Sequence, residues 1–536
     1  MEWGANFYFT FEHSNILKPM KLRFDFLQAA VLFVAIGLLC IACKKEDLTH
    51  DPRPALLMSD PDRALPYMFT DWMGNLPDSL SLCQITIPGT HDCAADNHSG
   101  GVPSGSHWDV VCQDFRFLNQ LYLGVRFFDV RFDDVDNQLH HGGFILSRNL
   151  NDIIGDALAF LKGHPTETVV FLIKKEFGGS SDATFSEKVW TILAHYPLEK
   201  FYRDVNMPRL GDVRGKIVLA THDNNDRNGH WLGLDFKWPD NTSLHYDNSA
   251  NFRYYVHDHY SLNSVSYDSK SNEVRHLIDI SSQYPDGWRM DLNFTNGEKD
   301  GIWVSIKEVA HNINGNIRQY LLEHIDWRHC GVILVNYAGG SDDGLCSCDL
   351  VRLILQHNDF PTVKIALQTW MGKDLDAKHY QNGDPIPQVQ DPVAWSKLTT
   401  GAYCDIGYGI HYNWYAVNDS RGLAPAGWRI ATETDWDLLV MNTGGAGQAG
   451  KQLKEASSLH WWHDAGENNF LFTALPTGAR DKNGNAGGFG ESGNWWCATG
   501  HVTDSAILYH MNFDNDMVMK FVDSKKLGLT VRCIKK

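Results

Sequence analysis

Between Pro77 and about His357, short apolar runs of strand character alternate with stretches whose apolar residues recur at helical spacing. The runs are Cys83–Ile87, Val125–Val130, Thr168–Ile173, Lys216–Ala220, Phe252–Val256, Met290–Phe294 and Gly331–Val335. Asn151–Lys162, Thr184–Leu193 and Ile306–Glu323 carry the helical pattern between them. Strands separated by helices pair in parallel, because the connection must cross back over the sheet. Repeated over this length, the pattern predicts an α/β domain at residues 77–358, a (β/α) TIM-type barrel or a distorted form of it.

Polarity enters at the C-terminal ends of these runs: His91 and Asp92, Asp129 and Arg131, Lys174 and Glu176, His222 and Asp223, Asp258 and Tyr260, Asn293, and Asn336. In a parallel barrel those ends converge on one mouth, where barrel enzymes carry out their chemistry. Within Ile85–Gly142 alone stand two separated histidine sites, several carboxylates and an arginine. That inventory suits acid/base attack on a phosphate ester: imidazoles move protons near neutrality, and a guanidinium holds phosphoryl oxygens. Strand alternation places Asp129 and Arg131 on one face, and only one of His140 and His141 facing inward.

The motifs Ile85-Thr-Ile-Pro-Gly-Thr-His91-Asp92, Gln120-Leu-Tyr-Leu-Gly-Val-Arg-Phe-Phe-Asp129-Val-Arg131, Leu139-His140-His141-Gly142 and Pro165-Thr-Glu-Thr-Val-Val-Phe-Leu-Ile-Lys174-Lys-Glu176 resemble, in order and spacing, the catalytic X-region of bacterial phosphatidylinositol-specific phospholipase C. The resemblance continues more weakly through Gly211–Leu219 and Val256–Tyr260 to Val332–Tyr337. It implies His91 as general base toward the inositol 2-hydroxyl and His141 as general acid for the diacylglycerol oxygen. Arg131 would clamp the phosphate, Asp92 orient His141 and Arg131, and Asp129 support the arginine. The implied products are diacylglycerol and cyclic inositol 1,2-phosphate.

For the headgroup, the resemblance implies Lys174, Asp258, Tyr260 and Gly142, with two departures from the family pattern. His222 stands where an arginine is usual, and Asn336 where an aspartate supports the base histidine. Asparagine accepts a hydrogen bond but adds no negative charge, so a less basic His91 is expected. Lys174 and Glu176 share a strand face and are also readable as a salt bridge, and Asp129 as a buried ion-pair partner. Arg131 in the region where calcium-dependent relatives place acidic metal ligands implies a reaction without a metal or other cofactor. Two other readings stay open: a phosphodiesterase for another headgroup, and a non-catalytic lipid- or glycan-binding surface protein.

Outside this region, Lys21 and Arg23 precede the uncharged apolar run Ala29–Ala42, with Met20 as a plausible start. This reads as a secretory signal too short to span a bilayer comfortably. Leu39-Cys-Ile-Ala-Cys43 resembles a lipoprotein cleavage box, which implies Cys43 as a lipidated residue at the end of a signal covering residues 1–43; an uncleaved signal anchor is the other reading. The Lys44-Lys-Glu-Asp47 tether resembles that of surface-exported lipoproteins, so the expected location is the cell envelope, on a lipid anchor in the outer membrane. Residues 44–76 read as a linker.

Net charge is −18. It disfavours nucleic acid, and any membrane contact must be local or covalent. Eleven scattered cysteines fix no disulfide pairing and no structural metal site.

Beyond about Phe360 the texture turns to Gly, Asn, Asp and Trp with many turns. Gln368–Leu375, Asn382–Pro387, Tyr412–Asn418, Gly422–Ile430, Leu475–Arg480 and Val531–Cys533 resemble the Fibrobacter succinogenes major paralogous domain. That resemblance implies an α+β, C-type-lectin-like accessory domain over residues 359–536, with a glycan or surface partner. Trp461–Trp462 and Trp495–Trp496 are readable as a sugar-stacking platform, though in a glycine-rich domain such tryptophans more often form the core.

Overall fold

The computed structural model describes residues 69–96, 110–176, 181–222, 232–248, 251–283, 287–299, 304–339, 348–463 and 466–536. The signal, Met20, Cys43, linker residues 44–68 and Asp223 lie outside the described residues.

The N-terminal domain is built on strands β1 (Ile87–Thr90), β2 (Phe127–Phe132), β3 (Gln138–His141), β4 (Phe144–Asn149), β5 (Val169–Lys175), β6 (Phe201–Tyr202), β7 (Ile217–His222), β8 (Leu234–Phe236), β9 (His245–Asn248), β10 (Arg253–His257), β11 (Arg289–Phe294) and β12 (Val332–Val335). They form one sheet in the order β6-β7-β5-β2-β1-β12-β11-β10-β9. The long neighbours from β7 to β10 pair in parallel. The ends that face solvent in an open sheet are treated differently here: β8 pairs with β7 and β9 runs antiparallel to β10.

No backbone ladder joins β8 to β10 among the described residues. Side chains bridge that seam instead: Phe236 packs against Phe252 and Tyr254, with ring centroids 5.1 and 5.0 Å away. Tyr254 Oη also donates to Lys237 O at 2.9 Å. The result is a curled, mostly parallel sheet, the distorted form of the predicted TIM-type barrel, whose seam is bridged by aromatic packing and the Tyr254 hydroxyl rather than by a backbone ladder.

The expected strand Cys83–Ile87 is displaced. A capping box between Ser81 and Gln84 turns Leu82–Gln84 into a 3₁₀ turn, so the strand begins at Ile87. Gly89 is required within it, since a Cβ there would lie 3.1 Å from Phe127 O and 2.9 Å from Leu334 Cγ. The three expected helices form as Leu150–Gly163, Asp182–Leu193 and Ile306–Glu323. Helices Phe117–Leu123 and Tyr267–Gln283 were not expected from periodicity. The second of these buries Lys270, Ser271 and Ser281 beside Val274, Leu277 and Ile278, which masks its apolar stripe. None of the described helices is long and apolar enough to cross a membrane.

The chain leaves the barrel through Asn358, whose side chain clamps both backbone groups of Thr86 at 2.9 and 2.8 Å. The C-terminal domain then adds β13 (Thr362–Ile365), β14 (Gln368–Met371), β15 (Tyr403–Ile406), β16 (Gly409–Tyr412), β17 (Trp428–Ile430), β18 (Thr477–Arg480), β19 (Ala486–Phe489), β20 (Ser492–Gly500), β21 (Ser505–Asn512), β22 (Val518–Ser524) and β23 (Cys533–Lys535). They form a four-stranded sheet β13-β14-β23-β17, a three-stranded sheet β20-β21-β22 and two hairpins. Trp461, Trp495 and Trp496 are fully buried and only Trp462 of the two pairs is exposed, at 52%. The paired tryptophans are therefore mainly core. Among the described cysteines, Cys93, Cys112, Cys330, Cys404, Cys497 and Cys533 are buried free thiols, and Cys83 is buried as well.

Candidate active site

Adjacent parallel strands β1 and β12 run in register, Thr90 beside Val335, so the next residues, His91 and Asn336, emerge together. Each is followed by a residue at positive φ: Asp92 at 45° and Tyr337 at 54°. Left-handed backbone costs energy for such residues and persists where surroundings enforce it. Buried Gln113 does so here, donating to His91 O at 2.7 Å and Val335 O at 3.0 Å while its oxygen accepts from Ala338 N at 3.2 Å. Tyr337 Oη donates to Val111 O at 2.7 Å.

His91 Nδ1 lies 3.0 Å from Asn336 Oδ1, and its Nε2 lies 2.7 Å from Arg131 Nη2. A guanidinium only donates, so Nε2 is the acceptor, Nδ1 carries the proton, and the oxygen of Asn336 faces it. Burial first, then the charges of Arg131 and His141, push the His91 pKa well below its ordinary value. The neutral imidazole is thus held with a lone pair on Nε2.

His141 comes from the hairpin β3–β4 and meets His91 nearly at right angles, with ring centroids 6.4 Å apart. Its Nδ1 is 2.8 Å from Val110 O, which can only accept, so Nδ1 is protonated and Nε2 is the nitrogen that exchanges protons. His140, on the alternate face, is buried and pairs with Asp136 at 2.8 Å. Alternation along β3 therefore separates the two neighbours as expected.

Asp92 Oδ2 occupies the centre of the site, 3.6 Å from His91 Nε2, 3.5 Å from His141 Nε2 and 3.4 Å from Arg131 Nε. Burial pushes its pKa up to about 7 against the opposing pull of Arg131 and His141. Arg131 also donates Nε to Asp129 at 3.1 Å, and Nη1 to both oxygens of Glu176 at 3.1 and 3.0 Å. Burial works against its charge, but Asp129, Asp92 and Glu176 outweigh it and hold the guanidinium pKa well above the usual value. Glu176 is thus the partner of Arg131, and it also accepts from Gly142 N at 2.9 Å.

These groups open into a cavity of about 740 Å³ whose wall includes His91, Arg131, His141, Gly142, Lys174 and Asn336. Asp258 and Tyr260 also line it, whereas Asp92 and Asp129 are buried and not on the wall. Asp258 is held by Trp238 Nε1 at 3.1 Å, and Tyr260 by Asp240 at 2.7 Å. His222 is not on the wall. Its ring packs on Trp238 at 3.8 Å, with Nε2 3.2 Å from Trp238 O, and burial together with Lys174 lowers its pKa to about 4.

The wall further includes Cys112, Asp240, Asn296, Gly297, Glu298 and Lys299, none of which sequence reasoning singled out. All sit in connections where no periodicity marks them; only Asn296 to Lys299, just after the predicted run Met290–Phe294, could have drawn notice. His91, Asp92 and Cys112 bring metal-ligand atoms within 4.8 Å of one another, but the Arg131 guanidinium stands 3.4 Å from Asp92 and its charge opposes a cation there.

Known proteins resemble both parts of the chain. Residues 363–535 match the Fibrobacter succinogenes major domain. The 1-phosphatidylinositol phosphodiesterase of Staphylococcus aureus (strain Newman) is 30% identical over 301 residues, 54% of this chain and 94% of that protein. Its counterpart in Listeria monocytogenes is 30% identical over 183 residues, 31% of this chain and 55% of that protein. A solved phosphatidylinositol-specific phospholipase C from S. aureus is 27% identical with a TM-score of 0.47, over 54% of this chain and 97% of that one. With nearly the whole length of the S. aureus enzyme matched, this chain belongs, through its N-terminal half, to the family of bacterial 1-phosphatidylinositol phosphodiesterases.

Proposed function

We propose that this enzyme cleaves phosphatidylinositol-type lipids by attack of the substrate's own inositol 2-hydroxyl on phosphorus. His91 Nε2 takes the hydroxyl proton as the new O–P bond forms. His141 Nε2 gives a proton to the diacylglycerol oxygen as the old P–O bond breaks, and Arg131 compensates charge on the phosphoryl oxygens. The products are diacylglycerol and cyclic inositol 1,2-phosphate. Two imidazole Nε2 atoms flanking one buried carboxylate, beside a guanidinium, carry this reading. Family membership supports the substrate class. Asp258, Tyr260 and Lys174 on the cavity wall suit a polyhydroxylated headgroup, with hydroxyls for the carboxylate and a ring face for the tyrosine.

Arg131 supplies the positive charge that a divalent ion would otherwise bring, so turnover is expected to need no metal. Assay on phosphatidylinositol vesicles in EDTA, with products identified by phosphorus NMR, tests both claims. Wild type should release cyclic inositol phosphate, and His91→Ala and His141→Ala should each lose at least about a hundredfold in rate while remaining folded. Activity that EDTA abolishes and calcium restores, or turnover unchanged in either variant, would overturn the assignment.

The same proposal includes lipidation at Cys43, which would hold the barrel mouth near membrane substrate; metabolic labelling with a fatty acid, lost in Cys43→Ala, tests it. The C-terminal domain is read as an accessory C-type-lectin-like module with a glycan or surface partner.

A further inference from the structure

Helix Tyr267–Gln283 turns a lysine inward. Lys270 is 0% exposed, and its Nζ donates to His259 O at 2.7 Å and Phe294 O at 2.9 Å, with His257 Nε2 at 3.4 Å. An ammonium buried among carbonyls is costly, and burial draws its pKa down to about 7 despite the charges of Asp258 and Glu273. Its location gives that cost a purpose. His259 stands between Asp258 and Tyr260, just beyond β10, and Phe294 is the last residue of β11, just before Asn296, Gly297 and Glu298. Asp258, Tyr260, Asn296, Gly297 and Glu298 line the same cavity as His91 and His141.

We propose that Lys270 is a positioning residue for the headgroup: its ammonium ties the carboxyl ends of β10 and β11 and so fixes Asp258 and Tyr260 against Asn296, Gly297 and Glu298. The two loops are already stitched to each other, Glu298 N donating to Tyr260 O at 2.8 Å and Leu262 N to Glu298 O at 2.9 Å. The helix that carries Lys270 adds further ties. Glu273 pairs with His259 Nδ1 at 2.9 Å, and Asn293 Nδ2 donates to Val274 O at 2.8 Å. Lys270 touches none of the reacting groups. Its loss should therefore loosen headgroup binding and leave the chemical step nearly intact.

This inference rests on the inositol-lipid reading, so wild type is first assayed on phosphatidylinositol; lack of turnover there would remove that reading whatever the variants do. With turnover established, Lys270→Met and Lys270→Gln are compared with Leu277→Ala, which weakens the same helix without touching the strand ends. Either Lys270 variant that folds should show KM, and Ki for free myo-inositol, raised about tenfold or more, with kcat within threefold. Leu277→Ala should lower the melting temperature and leave KM unchanged. An unchanged KM, an equal loss in kcat, a matching KM rise in Leu277→Ala, or failure of both Lys270 variants to fold would each overturn the positioning role.

Discussion

At His91 the ring nitrogen turned away from the cavity meets an amide, Asn336 Oδ1 at 3.0 Å, and an amide leaves a protonated ring without a compensating charge. A carboxylate at that position would favour the imidazolium. Asn336→Asp should therefore raise the His91 pKa by about 1 to 3 units, as an opposite charge at contact distance does. Nitrogen NMR of labelled histidine, titrated in both proteins, measures it, and an unmoved His91 resonance would show that the Asn336 contact does not set its basicity. Asp92 carries a second consequence. Its folded-state pKa lies near 7 against an ordinary value of 3.8, so the native protein holds a proton that the unfolded chain releases. The contribution of Asp92 to stability is then most favourable below pH 3.8, declines as pH rises toward 7, and is level above it. At about 1.4 kcal/mol per unit the ceiling is roughly 4 kcal/mol. Asp92→Asn removes the ionising group, so its melting temperature should exceed wild type at pH 8, with the gain vanishing near pH 4, while activity falls. A gain equal at both pH values would mean that charge burial is not the cause.

Among the elements, long apolar runs were readable because barrel strands are buried on both faces, and β2, β5, β7, β10, β11 and β12 all lie where the runs predicted. What composition hid was local. Ser81 and Gln84 convert the start of the first run into a turn through side-chain capping, and Lys270 interrupts the apolar stripe of helix Tyr267–Gln283. His91, Asp92 and Arg131 were legible at the ends of predicted runs, whereas His141 came from the family resemblance, since β3 was not among the expected strands. The loop residues Asp240, Asn296 and Glu298 were not legible, since only tertiary contact brings them to the wall. Gln113 belongs to this second class. It joins the ends of β1 and β12 through two carbonyls, and replacing it by leucine keeps much of the volume but takes away the side-chain partners of His91 O and Ala338 N, while Val335 O keeps only His91 N. The expected cost is about 2–4 kcal/mol in unfolding free energy, with kcat reduced at least about tenfold because His91 and Asn336 lose their common brace. Urea denaturation and steady-state kinetics on the same preparation decide it; wild-type kcat in a destabilised variant would separate Gln113 from the site.

At the scale of the whole molecule, the change of texture near residue 358 marks a real change of architecture, from a parallel barrel to short antiparallel sheets around tryptophans. The tryptophans themselves were ambiguous in sequence, because a stacking platform and a core have the same composition; burial decides for Trp461, Trp495 and Trp496. Trp436 lies at the centre of that core. It stacks on Tyr509 at 4.9 Å and meets Trp370 and Trp495 at 5.3 and 5.9 Å. Truncating it to alanine should cost the C-terminal domain about 3–5 kcal/mol, the usual penalty for emptying a buried aromatic site. The barrel has its own core, and the groups that move protons all come from residues before 337. Turnover of phosphatidylinositol by Trp436→Ala below its first unfolding transition should therefore stay within about twofold of wild type. Calorimetry should show that transition moving to lower temperature while the one that ends activity stays in place. If the two move together, or if kcat falls with the first, the C-terminal domain is part of the catalytic unit rather than an attachment to it.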